Sequence, residues 1–154
     1  MKIEFRKACL EDAEIYFKWT NDDLVRLNSF EQRKISFEEH VSWFKGKLSS
    51  SDCFFYFFTL EQEPIGQVRI DRNTNETVIG ISIDVQYRGK NLGAAMLRLA
   101  CNDYFSKFPE AKIIAYIKEG NIPSYRIFKE ANFANDEAVL VKGSSSIKLS
   151  RTKK

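Results

Sequence analysis

The sequence predicts a mixed α/β fold built on one mostly antiparallel sheet. Three observations carry that expectation. Residues 53–85 hold three strand-like segments in a row, joined by two short turns, as in an antiparallel meander. Residues 92–108 then carry apolar side chains at helical spacing, and a further strand signal follows at 111–118. A strand reached through a helix is expected to lie parallel to the one before it. Hydrophobic residues make up 44% of 154 positions and charged residues 29%, enough for a core in a soluble chain. The expectation is a single domain over residues 1–154, with about seven strands and helices on both faces.

The elements follow in order. Lys2 to Ala8 alternates Ile3 and Phe5 with basic residues and reads as a strand. Leu10 to Trp19 places Leu10, Ala13, Tyr16 and Phe17 on one side of a helix. Thr20 to Asp23 ends it and caps a short helix around Leu24 to Leu27. Ser36 and Glu39 form a capping box ahead of a helix with Phe37, Val41, Phe44 and Leu48 on its apolar face. Cys53 to Leu60 is dense in aromatics and reads as a strand buried on both faces. Glu61 to Pro64 is a turn, Ile65 to Asp71 a strand, Asn73 to Asn75 a turn, and Thr77 to Val85 a strand. Leu92 to Phe108 is a helix that Pro109 stops, and Ala111 to Lys118 is a strand. Asn121 and Ser124 supply capping signals for another helix, with Pro123 in its first turn. Ala138 to Val141 and Ile147 to Ser150 read as a final hairpin, and Arg151 to Lys154 as a frayed basic tail.

Composition excludes several functions. A net charge of +3 gives no reason to expect nucleic-acid binding. No segment has the length and apolarity of a membrane span or a secretory signal, so a cytoplasmic protein is expected. Cys9, Cys53 and Cys101 are far apart and sit among apolar neighbours, as reduced core residues do. A single His argues against zinc, and no metal site is expected.

The chemistry concentrates between strand 77–85 and helix 92–108. Arg88, Gly89, Lys90, Asn91, Leu92, Gly93 and Ala94 form a basic turn opening a helix. Unpaired N–H groups and the positive end of the helix dipole suit a phosphate there, and Gly89 and Gly93 permit close backbone approach. No dinucleotide or Walker signature is present. The order Arg88-x-x-Asn91-x-Gly93-Ala94 resembles the pyrophosphate loop of the GNAT superfamily, the acyl-CoA-dependent N-acetyltransferases. Asn91 stands at that loop's middle glycine, and Asn best tolerates a left-handed backbone after Gly. Asn121 to Phe133 resembles a second segment of that family, with Asn132 at its helix-ending glycine. The element order matches over essentially the whole chain.

The resemblance implies acetyl-CoA as co-substrate, held at Arg88 to Ala94, along Ile81, Ile83 and Val85, and by Asn121, Ser124, Phe128 and Lys129. Asn121 then lies near the pantetheine or sulfur. The family's general-acid Tyr falls at Phe128, so the thiolate leaves without it; Tyr56, Tyr116 and Tyr125 are alternatives that spacing does not separate. Glu39 and His40 are candidate bases, each set against a structural part as cap partner or packing residue. Gln67 and Arg69 project from a strand beside the expected cleft and suit an anionic substrate group. Trp19, Asn21 and residues 36–43 look like a subgroup acting on nucleotide-linked amino sugars, as in pseudaminic acid synthesis; ribosomal-protein N-terminal acetyltransferases share a related pattern. The leading expectation is acetyl transfer to a small-molecule amine, best a nucleotide-linked amino sugar, by direct attack in a ternary complex. The alternatives are acetylation of a protein or peptide terminus, and an acyl-CoA sensor without turnover. A monomer or homodimer is expected.

Overall fold

A computed structural model describes residues 2–154. Seven strands form one sheet in the order β1-β2-β3-β4-β5-β7-β6. They are β1 (Ile3–Lys7), β2 (Cys53–Leu60), β3 (Glu63–Arg72), β4 (Thr77–Ile83), β5 (Lys112–Lys118), β6 (Ala134–Val141) and β7 (Ser144–Thr152). The helices are α1 (Ala13–Thr20), α2 (Asp23–Asn28), α3 (Phe37–Ser49), α4 (Gly93–Lys107) and α5 (Ile122–Glu130). Every pairing is antiparallel except β4 with β5. Mixed α/β architecture, helices on both faces and the parallel step after α4 all match the expectation.

β2 shows why the aromatic run is a strand. Its side chains alternate between two buried layers. Cys53, Phe55 and Phe57 meet α1 and α3 through Ala13, Tyr16, Trp19 and Phe44. Tyr56, Phe58 and Leu60 face the other layer, where α4 contributes Met96, Leu97, Ala100, Cys101, Tyr104 and Phe105. Removing so many large apolar side chains from water is the main force holding both layers to the sheet.

Several boundaries differ from expectation, most by a residue or two, and the larger differences are local. The first helix opens as a 3-10 turn at Leu10–Asp12, because the Asp12 carboxylate bonds Arg6 and the Cys9 amide rather than capping a first α turn. Cys9 is exposed there, whereas Cys53 and Cys101 are buried. β4 ends at Ile83, and Val85 belongs to a 3-10 turn, Val85–Tyr87. The last hairpin is longer than its apolar residues suggest: β6 starts at Ala134, and Arg151 and Thr152 pair with Ile113 and Lys112. Arg151 also lies over the Phe105 ring, so the basic tail is not frayed at these positions.

Candidate functional site

The site begins where the sheet parts. β3 and β4 pair along seven positions, from Arg72 with Thr77 to Gly66 with Ile83. β4 and β5 pair only at Thr77 with Ile113 and Val78 with Ile114. From Ile79 onward β4 has no strand partner on its β5 side, which leaves backbone donors and acceptors facing an opening. Unpaired peptide groups at such a place suit an extended ligand that carries amides of its own. Gly66 seats this end of β4: a Cβ there would lie 2.3 Å from the Ser82 carbonyl oxygen, so only glycine permits the approach.

The turn after β4 leads into α4. Asp84 caps the 3-10 turn through the Gln86 amide. Gly89 and Asn91 have φ of 74° and 59°, the left-handed region expected of Asn91. No side chain caps α4, whose N-cap is Leu92, whereas α2, α3 and α5 are capped by Asp22, Ser36 and Asn121. The first N–H groups of α4 therefore have no side-chain acceptor and point beyond the helix start. Gly93 and Ala94 are buried, and a Cβ at Gly93 would come within 2.7 Å of Ile127, so this glycine sets the approach of α4 to α5. Lys90 is exposed and forms no ion pair among the described residues.

Arg88 is already engaged. Its Nε donates to the Ile83 carbonyl at 3.0 Å and its Nη2 to Asp22 Oδ2 at 2.8 Å. On α5, Asn121 accepts the Ser124 amide at 3.3 Å as the N-cap. Lys129 is paired with Asp136, which also accepts the Tyr125 hydroxyl. Phe128 is buried, edge-on to Phe133. Asn132 has φ of 71°, the left-handed helix end that its place in the second segment implies. The Tyr56 hydroxyl donates to Asp103 and the Tyr116 hydroxyl to Glu76. Burial first and the Glu76 carboxylate second push Tyr116 up to about 12.

The opposite face carries the other candidates. Antiparallel partners share a face, so Gln67 and Arg69, opposite Phe57 and Phe55, lie on the α1 and α3 side. Gln67 donates to Ser82 at 3.2 Å, and Arg69 sits 5.0 Å over Trp43. Trp19 is 3% exposed and donates its indole N–H to Asp84 at 2.9 Å. Burial pushes the Asp84 carboxyl up, but the bonds from Trp19 and the Gln86 amide, with the Lys18 charge, outweigh it and hold it below the usual range. Asn21 exchanges two bonds with the Ile35 backbone, at 2.6 and 3.0 Å, and so clamps the segment between α2 and α3.

The two candidate bases both have partners within the protein. His40 is 1% exposed, stacked on Phe44, with Nε2 donating to the Ala13 carbonyl at 3.2 Å. Burial lowers its pKa. Glu39 is exposed and its carboxylate is held by both terminal nitrogens of Arg33, which lowers its pKa through the hydrogen bond and the charge. Sequence reasoning missed Asp22 and Asp84. Their partners lie 66 and 65 positions away, and only a capping position before α2 and the end of β4 marked them.

Comparison with solved structures shows the same fold at low identity. Spermidine N-acetyltransferase from Vibrio cholerae, in complex with CoA and spermine, superposes with a TM-score of 0.86 at 14% identity, covering 97% of this chain and 94% of that one. The aminoglycoside acetyltransferase AAC(6')-Ib with coenzyme A gives 0.83 at 16%, covering 99% and 95%. A domain from Methanocaldococcus jannaschii DSM 2661 gives 0.82 at 23%, covering 97% and 99%. Comparison with curated protein sequences gives no match. The family model of the acetyltransferase (GNAT) domain matches residues 2–134, most of the chain, and with the parted β4–β5 pair and the uncapped start of α4 it shows that this protein belongs to the GNAT acetyltransferases.

Proposed function

We propose that the protein transfers an acetyl group from acetyl-CoA to the primary amine of a small molecule, and that the acceptor is a nucleotide-linked amino sugar. The observation that carries the transfer is the free β5-side edge of β4 running into the uncapped start of α4. The diphosphate lies on the backbone from Gly89 to Ala94 with Lys90 beside it, and the pantetheine pairs along Ile81 and Ile83 toward Val85. Asn121 and Ser124 at the start of α5, with Lys129 further along it, border the same cofactor. An N–H at the end of β4 polarises the thioester carbonyl as the tetrahedral oxyanion forms. The amine attacks directly in the ternary complex.

Proton traffic is left largely to water. His40 is sealed from solvent and Glu39 is held by Arg33, so neither helix residue takes the amine proton. The leaving thiolate has a reference pKa of about 8.5 and departs without a Tyr at Phe128. The acceptor class follows from charge. On the α1–α3 side Asp22, Asp23 and Glu39 are each neutralised by Arg88, Lys34 and Arg33. Arg69 rests on Trp43 without a carboxylate, and Lys118 donates only to the Leu27 carbonyl. Arg69 and Lys118, cations without a carboxylate partner among the described residues, are the groups read as meeting an anionic part of the acceptor, which a polycation such as spermidine or an aminoglycoside lacks.

The test is release of free CoA thiol with acetyl-CoA and a panel of UDP-glucosamine, kanamycin, spermidine and peptides with free α-amines. The expected outcome is turnover with the nucleotide sugar above the rest. Its rate should rise with pH up to the amine pKa, with no break near 6.5. Turnover with peptides alone would move the acceptor to a protein terminus. Phe128 and the engaged tyrosines favour a second reading, an acyl-CoA sensor; acetyl transfer to any amine in the panel removes it.

A further inference from the structure

We infer that Arg88, which the loop motif would count among the diphosphate ligands, is a positioning residue for the acceptor side: it holds α2 as a strap across the opening between β4 and β5. This rests on reading the parted strands and the loop as the CoA site and the α1–α3 face as the acceptor side.

α2 has six residues and buries none of them. A helix this short has no stability of its own, since nucleation costs more than one or two hydrogen bonds return. It is held instead at its two ends. At the first turn, Asp22 Oδ2 accepts the amides of Leu24 at 3.1 Å and Val25 at 3.2 Å, and Arg88 Nη2 at 2.8 Å. The same guanidinium reaches back through Nε to the carbonyl of Ile83, the last residue of β4. At the last turn, the Leu27 carbonyl accepts Lys118 Nζ at 3.1 Å and Gln32 Nε2 at 2.9 Å. Lys118 is the last residue of β5. α2 is therefore tied to the ends of the two strands that part, one tie at each of its termini.

The tie to β4 is a charge pair, whereas the tie to β5 is an exposed bond from an ammonium to a carbonyl. The Arg88 and Asp22 side chains are 26% and 21% exposed, whereas Arg33–Glu39 and Lys34–Asp23 are at least half exposed at every partner. A shielded pair is screened less by water and salt. A guanidinium with two donors fixed on protein acceptors is held in one orientation, which a lysine ammonium does not achieve to the same degree. The cation that the motif offers to phosphate is thus committed to the wall of the amine side, and the diphosphate is left to the loop backbone and Lys90.

Two consequences follow. A ligand that orders the loop steadies Arg88, and through Asp22 it steadies α2; by linkage, an ordered α2 favours that ligand equally. An amine resting on α2 and the cofactor on the loop then favour each other through the same wall.

The experiment is hydrogen exchange by mass spectrometry on the full chain, with and without saturating CoA, alongside calorimetric titration with CoA. The variants are Arg88→Gln, Arg88→Lys and Asp22→Asn; Asn keeps a capping oxygen for Leu24 and Val25. Without CoA, Arg88→Gln and Asp22→Asn should each speed exchange of residues 22–28 by about tenfold, and Arg88→Lys by less. CoA should slow exchange of 22–28 in the wild type and in Arg88→Lys, and not in the other two. CoA affinity should change by less than about threefold in all. The inference is overturned if Arg88→Gln weakens CoA by more than about tenfold while Asp22→Asn does not. It is also overturned if exchange of 22–28 is unaffected by either substitution. Absence of CoA binding in the wild type would overturn the reading of the CoA site, while the ligand-free comparison still decides whether Arg88 holds α2.

Discussion

The two faces of the sheet are built on different principles. On the α4–α5 face the functional geometry is made by backbone: a left-handed turn at Gly89 and Asn91, a helix start without a cap, and two glycines that let chains approach. On the α1–α3 face it is made by side-chain ties: Arg88 to Asp22, Trp19 to Asp84, Asn21 to Ile35, Lys118 to Leu27. In the proposed function the first construction holds the cofactor, for whose diphosphate local backbone geometry is enough. The second shapes a wall, and a wall made of exchangeable side chains can be re-cut for a new amine without disturbing the first.

The comparison is broken most severely at Gly66. Gly66→Ala places a methyl 2.3 Å from a backbone oxygen that cannot swing aside, so β4 must shift. We expect a loss of about 3 kcal/mol in urea unfolding together with weakened CoA binding, the typical upper range for forced overpacking. Unchanged CoA affinity in a folded Gly66→Ala protein would show that the end of β4 does not set the cofactor site.

A smaller effect is expected on the other face. Trp19→Phe keeps an aromatic ring beside Tyr16 and Phe57 but leaves the buried Asp84 short of one donor. A cost of about 1–3 kcal/mol follows from an unsatisfied buried acceptor. The loss should fall on α1 in hydrogen exchange and leave CoA affinity nearly unchanged. Equal losses on both faces would erase the distinction between them.

The smallest effect concerns His40. Its folded pKa lies below the ordinary 6.5 because burial disfavours the charged ring. The unfolded chain therefore binds more protons below about pH 6.5, and stability falls as pH drops through that value toward the folded pKa. Thermal melts from pH 7 to 5 should show this decline. His40→Phe, which retains stacking on Phe44, should flatten it; an unchanged slope would remove His40 as its source. The carboxylates held below 3.8, Asp12, Asp22 and Asp84, lose their contribution only at more acid pH, so the two windows are separable.

The same contrast explains what could be read from the chain. Asn91 and Asn132 were legible as left-handed positions because that requirement is local and few residues satisfy it. The aromatic run of β2 was legible because double-sided burial leaves a continuous apolar signature. β6 was half hidden: it lies at the sheet edge with its first residues exposed, so Asp136 and Glu137 give no apolar alternation. Trp19, Asn21 and His40 were legible as important but not in their parts. An indole and an imidazole suit a ligand or a core equally, and only the fold brings Asp84 and Ala13 to them. The Arg88–Asp22 bond had no trace in spacing at all.

The parting of β4 from β5 also has a mechanical meaning. Two residue pairs join the plate of β1 to β4 to the plate of β5 to β7, and past Val78 the gap between them is a wedge without ladder hydrogen bonds, its far ends tied through α2. Val85 follows β4 and Ile122 follows β5, and both are half exposed or more. Changing the size of such a residue leaves every rung of the ladder in place, so on the proposed function a thicker acyl cargo calls for a change at the rim and not for unzipping the sheet.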